Sequence, residues 1–414
     1  MMRWVCAATL VSAIFLSLLA ARARGGGHVP QVPRQAPVVV LALDGSGDFG
    51  PQTPGTRTSG WQEALDYCVA HRRDLYVQGG YGGGQIYNIQ DTIHVPPAQD
   101  FRIDGGIYVI NWIGPPDRDL MTIDSTMNCE YHFGLMVYGG RGIGLHIRPE
   151  RPVPVDNFPV CVETRIEMEG LADPHPFVRG ERVQGEGLVL DGTNASIVHS
   201  EFRMASVINF HTCMRTVGAV GYNHIICPHL HTNADRSTLF VGDERLAANT
   251  ISLTIGVDQG AEAVTGMVIS GRDNVVELAQ RESDRPFPPH RSLILESSAE
   301  GNQVNLVCPP LADPAIMITD RAQTPTNQIT WAGPPPAIRI IRAAPGVFVY
   351  TQRLWPATVS IDGGKVTNFQ LTRGSQRVAR NPRLASQTLL SPGDRLTFRS
   401  ASWLRLVIVP VKVR

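Results

Sequence analysis

Through the middle and later part of the chain, short apolar stretches with inward positions at every second residue return at a nearly constant interval. Asparagine marks each return: Asn223-His224-Ile225, Asn249-Thr250-Ile251, Asn274-Val275-Val276, Asn302-Gln303-Val304 and Asn327-Gln328-Ile329, at steps of 26, 25, 28 and 25 residues. Asn194 with Ala195-Ser196-Ile197 occupies the preceding step. Weaker matches stand at Thr164-Arg165-Ile166, Asn128-Cys129-Glu130 and Asp100-Phe101-Arg102-Ile103, making about nine units. A period in the mid-twenties carried by β-type pieces predicts a stacked solenoid. Regularly placed leucines, which a leucine-rich repeat needs, are missing, and tetratricopeptide and ankyrin units are longer and helical. A parallel β-helix remains, an all-β solenoid in which Ile251-Leu253-Ile255, Val276-Leu278, Val304-Leu306 and Ile329-Trp331 face inward. The asparagines then stack at one turn and hydrogen-bond along the axis, as in cross-β ladders.

Open coil ends expose unpaired backbone and need covers. Ser59 and Gln62 have capping-box spacing. Trp61, Ala64, Leu65, Cys68 and Val69 fall on one face of a helix over 58–72, which predicts an N-terminal cap. Leu75-Tyr76-Val77 then starts the first strand. After a Gly/Pro break at 333–336, runs such as Val347-Phe348-Val349-Tyr350 and Leu404-Leu406-Ile408 predict a C-terminal β cap or small sandwich over 336–414.

Residues 1–23 have the form of a signal peptide. Met1-Met2-Arg3 is the positive start, Trp4 to Ala20 is uncharged and apolar, and Ala21-Arg22-Ala23 is a small-x-small cleavage site. Residues 24–38 read as a linker. The mature chain is therefore expected to be secreted or periplasmic, without stable membrane insertion. It would keep six cysteines, Cys68, Cys129, Cys161, Cys213, Cys227 and Cys308, none in a C-x-x-C pair, so thiolate metal binding is not expected. Buried free thiols are at least as compatible with this spacing as disulfides. The 37 Lys+Arg balance 37 Asp+Glu, which leaves no global field for nucleic acid.

Asp44-Gly45-Ser46-Gly47-Asp48, then Gln62-Glu63-Ala64-Leu65-Asp66-Tyr67-Cys68 and the repeating coils, resemble the pectate-lyase-like superfamily of right-handed parallel β-helix proteins. There a D-G-x-x-D segment leads into a helix of the form x-A-I-x-x-A. In this chain Leu65 and Cys68 replace two of the helix residues, and one extra residue precedes the second Asp. The resemblance spans residues 39–335. Ser391-Pro392-Gly393-Asp394-Arg395-Leu396 is similar to a closing strand of such proteins. It implies a carbohydrate-active protein, a polysaccharide lyase or glycoside hydrolase, with a non-catalytic glycan-binding or surface protein as the alternative. The expected partner is an extracellular polysaccharide.

The residues narrow the chemistry. Asn233-Ala234-Asp235 supplies N-x-D, but the Asp-Asp pair, Gly-His-Gly and Arg-x-Lys of polygalacturonase-type sites are missing. The Trp-x-Asp-His and Arg-x-Pro-x-x-Arg segments of calcium-dependent pectate lyases are missing as well. The loop from Asp44 to Asp48 lacks the other ligands of a twelve-residue calcium loop and reads as a turn. No metal site or cofactor is identified; calcium stays an open alternative that no motif supports. β-Elimination needs a base beside the uronate carboxylate and a cation to neutralise it. Suitable residues are densest from 191 to 236. If Val198 and Phe202 point inward, His199, Glu201 and Arg203 share one outward face. With Asp235 they form the expected catalytic set, and Asp191, His211, His231 and Arg236 the expected substrate-binding set. A solvated polar face is the competing reading. Segment 139–186, with Arg148, Glu150 and Arg151, reads as a long insertion able to wall a groove.

Overall fold

The computed structural model describes residues 38–80, 85–154, 157–174, 184–233, 235–257, 263–282, 291–307, 317–324, 326–332, 339–352, 357–363, 365–373, 376–379, 388–391 and 394–411. The expected signal peptide, almost all of the linker, the 333–336 break and Cys308 lie outside the described residues. The architecture is an all-β parallel solenoid of about eight turns. One parallel sheet runs through Leu75–Val77, Arg102–Gly105, Glu130–Val137, Arg165–Ala172, Glu201–Met204, His224–Thr232 and Thr250–Val257, and on to Gln328–Ala332. A second runs from Ile93–Val95 through Ile143–Ile147 and Glu186–Val198 to Ile318–Asp320. Between them, alternate residues such as Ile251, Leu253, Ile255, Val276, Leu278, Val304 and Leu306 are buried in one continuous core.

The asparagine ladder closes its own hydrogen bonding. Asn223, Asn249, Asn274 and Asn302 are buried. Each side-chain oxygen accepts from the side-chain amide of the preceding coil: Asn223 to Asn249 at 3.1 Å, Asn249 to Asn274 at 3.1 Å, Asn274 to Asn302 at 2.9 Å, and Asn302 to Asn327 at 2.9 Å. It also accepts the backbone N–H of that residue, at 2.9 to 3.1 Å. The remaining amide hydrogen goes to a strand-end carbonyl, as from Asn274 to Leu246. A buried amide so saturated carries little of the desolvation penalty that an unpaired one would.

The ladder corrects the register upstream. It does not pass through Asn194, which is exposed. It passes through Ser200, whose backbone N–H donates to Asn223 Oδ1 at 2.9 Å, and then Thr164, whose N–H donates to Ser200 Oγ at 3.1 Å. The residue before each ladder position turns the corner between sheets in the left-handed conformation. Asp100, Asn128, Glu163, His199, Tyr222, Ala248, Asp273 and Gly301 have φ between 50° and 64°.

The helix forms at Trp61–His71 and buries Trp61, Ala64, Leu65 and Cys68. Its start differs from the capping-box expectation: the N-cap is Gly60, in a left-handed conformation, and it has no side chain to cap with. Instead Thr58 Oγ1 accepts the Gln62 N–H, and Glu63 accepts the hydroxyls of Thr56 and Thr58. The coil also starts one strand earlier than expected, because Val39–Leu41 pairs with Leu75–Val77. Between them, Asp44 accepts the N–H and hydroxyl of Ser46 and Asp48 accepts the Val40 N–H, which makes this loop a turn. Segment 139–186 is not an insertion throughout, since it contributes the strands Ile143–Ile147, Cys161–Val162 and Arg165–Ala172.

Residues from Arg339 to Pro410 form two four-stranded antiparallel sheets around a separate core of Phe369, Leu371, Leu396, Phe398, Leu406 and Ile408. Cys68, Cys129, Cys161, Cys213 and Cys227 are free and buried. Among the described residues no helix is long and apolar enough to cross a membrane.

Candidate functional site on the first sheet

Side chains that point out of the first sheet are set by strand alternation in each coil and by parallel register between coils. One row reads Arg102, Glu130, Arg165, Glu201, His224. The row two residues on reads His132, Glu167, Arg203, with Asp104 beside His132. From Arg102 to Glu201 and from Asp104 to Arg203 signs alternate along each row and between the rows, so this part of the face is a checkerboard. Arg102 meets Glu130 at 2.8 Å, Arg203 meets Glu201 at 2.8 Å and Glu167 at 3.6 Å, and Arg165 pairs with Glu167. Cross-strand opposite charges of this kind stabilise a sheet modestly.

His132 is half-buried and stands between carboxylates of two neighbouring coils. Its Nδ1 lies 3.5 Å from Asp104 and its Nε2 lies 3.7 Å from Glu169, which extends the second strand's outward series Arg165, Glu167, Glu169. The Glu169 contact raises the imidazole above its ordinary pKa. Burial opposes that rise, and the charges of Glu169, Asp104 and Glu167 add to it. Glu167 and Glu169 keep 31% and 34% of their side-chain surface exposed, so a ligand on the face can reach both.

The eight expected site residues do not converge. Glu201 and Arg203 do share an outward face and bond each other. His199 does not join them. Val198 ends a strand of the second sheet, and His199 is the left-handed corner itself, its ring stacked on Tyr222 of the next coil at 5.3 Å. Alternation cannot be carried through such a corner. His231 is buried near the end of His224–Thr232, with its ring 5.4 Å from His229. His211 sits in the connection before Thr212–Gly221, and Asp235 and Arg236 at the same corner one coil on, before Thr238–Gly242, where the Thr238 N–H donates to the His211 carbonyl; these three are near one another but away from Glu201 and Arg203.

Asp191 lies on the second sheet in another cluster. The buried imidazole of His146 has Nδ1 3.0 Å from Asp119 and Nε2 3.5 Å from Asp191. Burial pushes the Asp191 carboxyl up, but the Thr193 hydroxyl and N–H and the His146 charge outweigh it and hold it below its ordinary value. Arg148 approaches Asp191 at 3.8 Å and Glu150 at 2.8 Å, while Arg151 is tied to Asp124 at 2.6 Å. These arginines brace loop backbone to the sheet. Near the helix, Arg57, Asp91, His94 and Arg118 line an open cavity of about 540 Å³, where Arg57 and Arg118 both contact Asp91. Among the described residues no group of three or more His, Cys, Asp or Glu is arranged to hold a metal ion.

Asp104, His132 and the Glu167/Glu169 pair were not singled out by sequence, because they lie on three successive coils, 28 and 35 residues apart from Asp104 to His132 and from His132 to Glu167. The segment Arg165-Ile166-Glu167-Met168-Glu169, charged at every second position, was the available signal.

No family model matches the chain, and no curated relative does. Among solved structures it is similar to the Dettilon tailspike protein gp208, at 10% identity over 90% of this chain and 94% of that one, with a TM-score of 0.30. It is also similar to a tailspike mutant of E. coli bacteriophage HK620 solved in complex with a hexasaccharide, at 10% identity, 90% and 93% coverage and a TM-score of 0.21. A third is tailspike protein 3 of bacteriophage CBA120, at 11% identity, 78% and 69% coverage and a TM-score of 0.18.

Proposed function

We propose that this chain is a secreted, carbohydrate-active β-helix of pectate-lyase-like type, and that it hydrolyses a glycosidic bond on the outer face of its first sheet. The observation that carries the reading is the placement of Glu167 and Glu169 two residues apart on one accessible strand face, with His132 against Glu169. Residues so placed are about 6.6 Å apart along a strand. That is on the scale of the roughly 5–9.5 Å that separates the two carboxyl groups of glycoside hydrolases. The carboxylates beside His132 keep the proton on its imidazole, so the imidazolium, held by Glu169, would itself hand that proton to the leaving oxygen, with Glu167 as the second, ionised carboxylate.

Lyase chemistry has less support on this face. Neutralising a uronate needs an uncommitted cation, and Arg102, Arg165 and Arg203 each already contact a carboxylate. The test is release of reducing ends from a panel of neutral and acidic polysaccharides, with ultraviolet absorbance for unsaturated product in parallel. Glu167→Gln and Glu169→Gln are expected to lower hydrolysis at least a hundredfold. Full activity in both variants would remove the site. Silence of the native protein across the panel, with retained glycan binding, would favour the non-catalytic alternative.

A further inference from the structure

The balanced charge of the chain is segregated. Residues 336–414 hold 13 of the 37 Lys and Arg but only two of the 37 carboxylates, Asp362 and Asp394, so the rest of the chain carries 24 basic against 35 acidic side chains. Asp394 is buried and bound by Arg373 at 2.8 Å, and Asp362 lies 3.9 Å from Arg405. Arg395 and Arg399 are left exposed, with no ion pair among the described residues. They lie two apart from Thr397 on Arg395–Ser400, an interior strand of its sheet.

We infer that the outer face of this sheet is a binding surface for an acidic polysaccharide, separate from the charged face of the solenoid. Register puts a hydroxyl or amide on at least one side of each position: Arg395 lies between Thr351 and Thr372, Thr397 between Val349 and Gln370, and Arg399 between Val347 and Thr367. Arg395 and Arg399 are about 13 Å apart along an extended strand. A repeating anionic chain can meet both at once, with guanidinium forks on its carboxylates or sulfates and neighbouring Thr and Gln on its hydroxyls. The lack of competing carboxylates leaves these forks free for the ligand. Single-stranded nucleic acid fits the face less well, because it is held largely by stacking on aromatic rings. Phe348, Phe369 and Phe398 of these strands are turned into the sandwich core. A second copy of the chain, whose segment before residue 336 carries 35 acidic side chains, is the competing occupant that sedimentation tests.

The full chain is applied to immobilised dextran sulfate, polygalacturonate and neutral dextran over a salt series, with DNA of matched charge as competitor. Retention on both acidic polymers, release by salt and passage through neutral dextran are expected. Arg395→Gln/Arg399→Gln should weaken binding at least tenfold and flatten the salt dependence by roughly one to two units of slope. Arg395→Lys/Arg399→Lys should keep most of that salt dependence and serves as the folding control. Equal retention by the double Gln variant, equal binding to neutral dextran, or displacement by DNA at lower charge concentration than by polysaccharide would each overturn the inference. So would sedimentation showing that retention tracks self-association. Glu167→Gln separates the two sites: it should lose hydrolysis and keep dextran sulfate binding, whereas the arginine variant should do the reverse on a neutral glycan.

Discussion

The side-chain amide of Asn249 donates to Oδ1 of Asn274 at 3.1 Å, and Asn274 passes the same bond on to Asn302 at 2.9 Å. Asn274→Ala therefore breaks the series in the middle. It leaves the backbone N–H of Asn249 without its acceptor and takes Oδ1 of Asn274 from the Asn249 side-chain amide, while the carbonyl of Leu246 keeps the Arg272 N–H. Each buried group so stranded costs about 1–3 kcal/mol. A net loss of about 3 kcal/mol in urea unfolding is expected, and a change within 0.5 kcal/mol would contradict the ladder's role.

Asp124 should govern acid sensitivity of the loop beyond Ile147. Burial raises its carboxyl, but the N–H groups of Arg151 and Glu150, the Arg151 side chain and the Ser125 N–H outweigh burial and hold the pKa below 3.8. A carboxyl lowered by folding contributes stability above its unfolded pKa, and this is lost as pH falls through the lower folded value. Asp124→Ala should cost about 2–4 kcal/mol at pH 7 by stranding those donors. The gap between variant and native protein should narrow as pH drops below about 4, which denaturant titrations at several pH values would show.

His132 carries the opposite sign. Its pKa is raised by Glu169, Asp104 and Glu167, so its contribution is fully present below the ordinary 6.5 and is lost as pH rises through the folded value. His132→Gln should be destabilising at pH 5–6 and nearly neutral at pH 9. The imidazole pKa, read directly by NMR titration, is expected to move down in Glu169→Gln.

The cysteines should be chemically silent in the native state. Burial pushes Cys68, Cys213 and Cys227 up to about 12 and Cys161 up to about 11. The thiolate is the reactive form. Alkylation at pH 8 should therefore modify none of these four within the native lifetime and all of them in denaturant. Rapid native labelling at any one would contradict the burial described.

Much of the solenoid was legible because its burial rule is local. Inward Ile, Leu and Val at alternate positions and an asparagine every 25 to 28 residues need no knowledge of distant chain. The reading failed where the ladder position is filled by another small polar residue. Ser200 does the work of asparagine, while Asn194, in plain view six residues earlier, lies outside the ladder. The candidate site was harder, because density along the sequence is a poor guide to a face assembled across coils. Asp104, His132 and Glu167 are neighbours only through parallel register. His199 looked like a strand residue and is a corner. The segregation of charge toward the C-terminal sandwich was countable from the start, and whole-chain neutrality concealed it.

The asparagine ladder also runs along the axis on which the coils are stacked, so it acts as a cord through successive turns. Pulled from its C-terminal end, the solenoid should not stretch uniformly. Each detached coil breaks one ladder joint together with its strand pairs and releases between 25 and 28 residues, the spacing of adjacent joints from Asn249 to Asn327. At about 3.5 Å per extended residue that is roughly 90 Å of new contour length per event. Force spectroscopy would then record a regular sawtooth across these coils, and a larger step where the joint from Ser200 to Thr164 spans 36 residues.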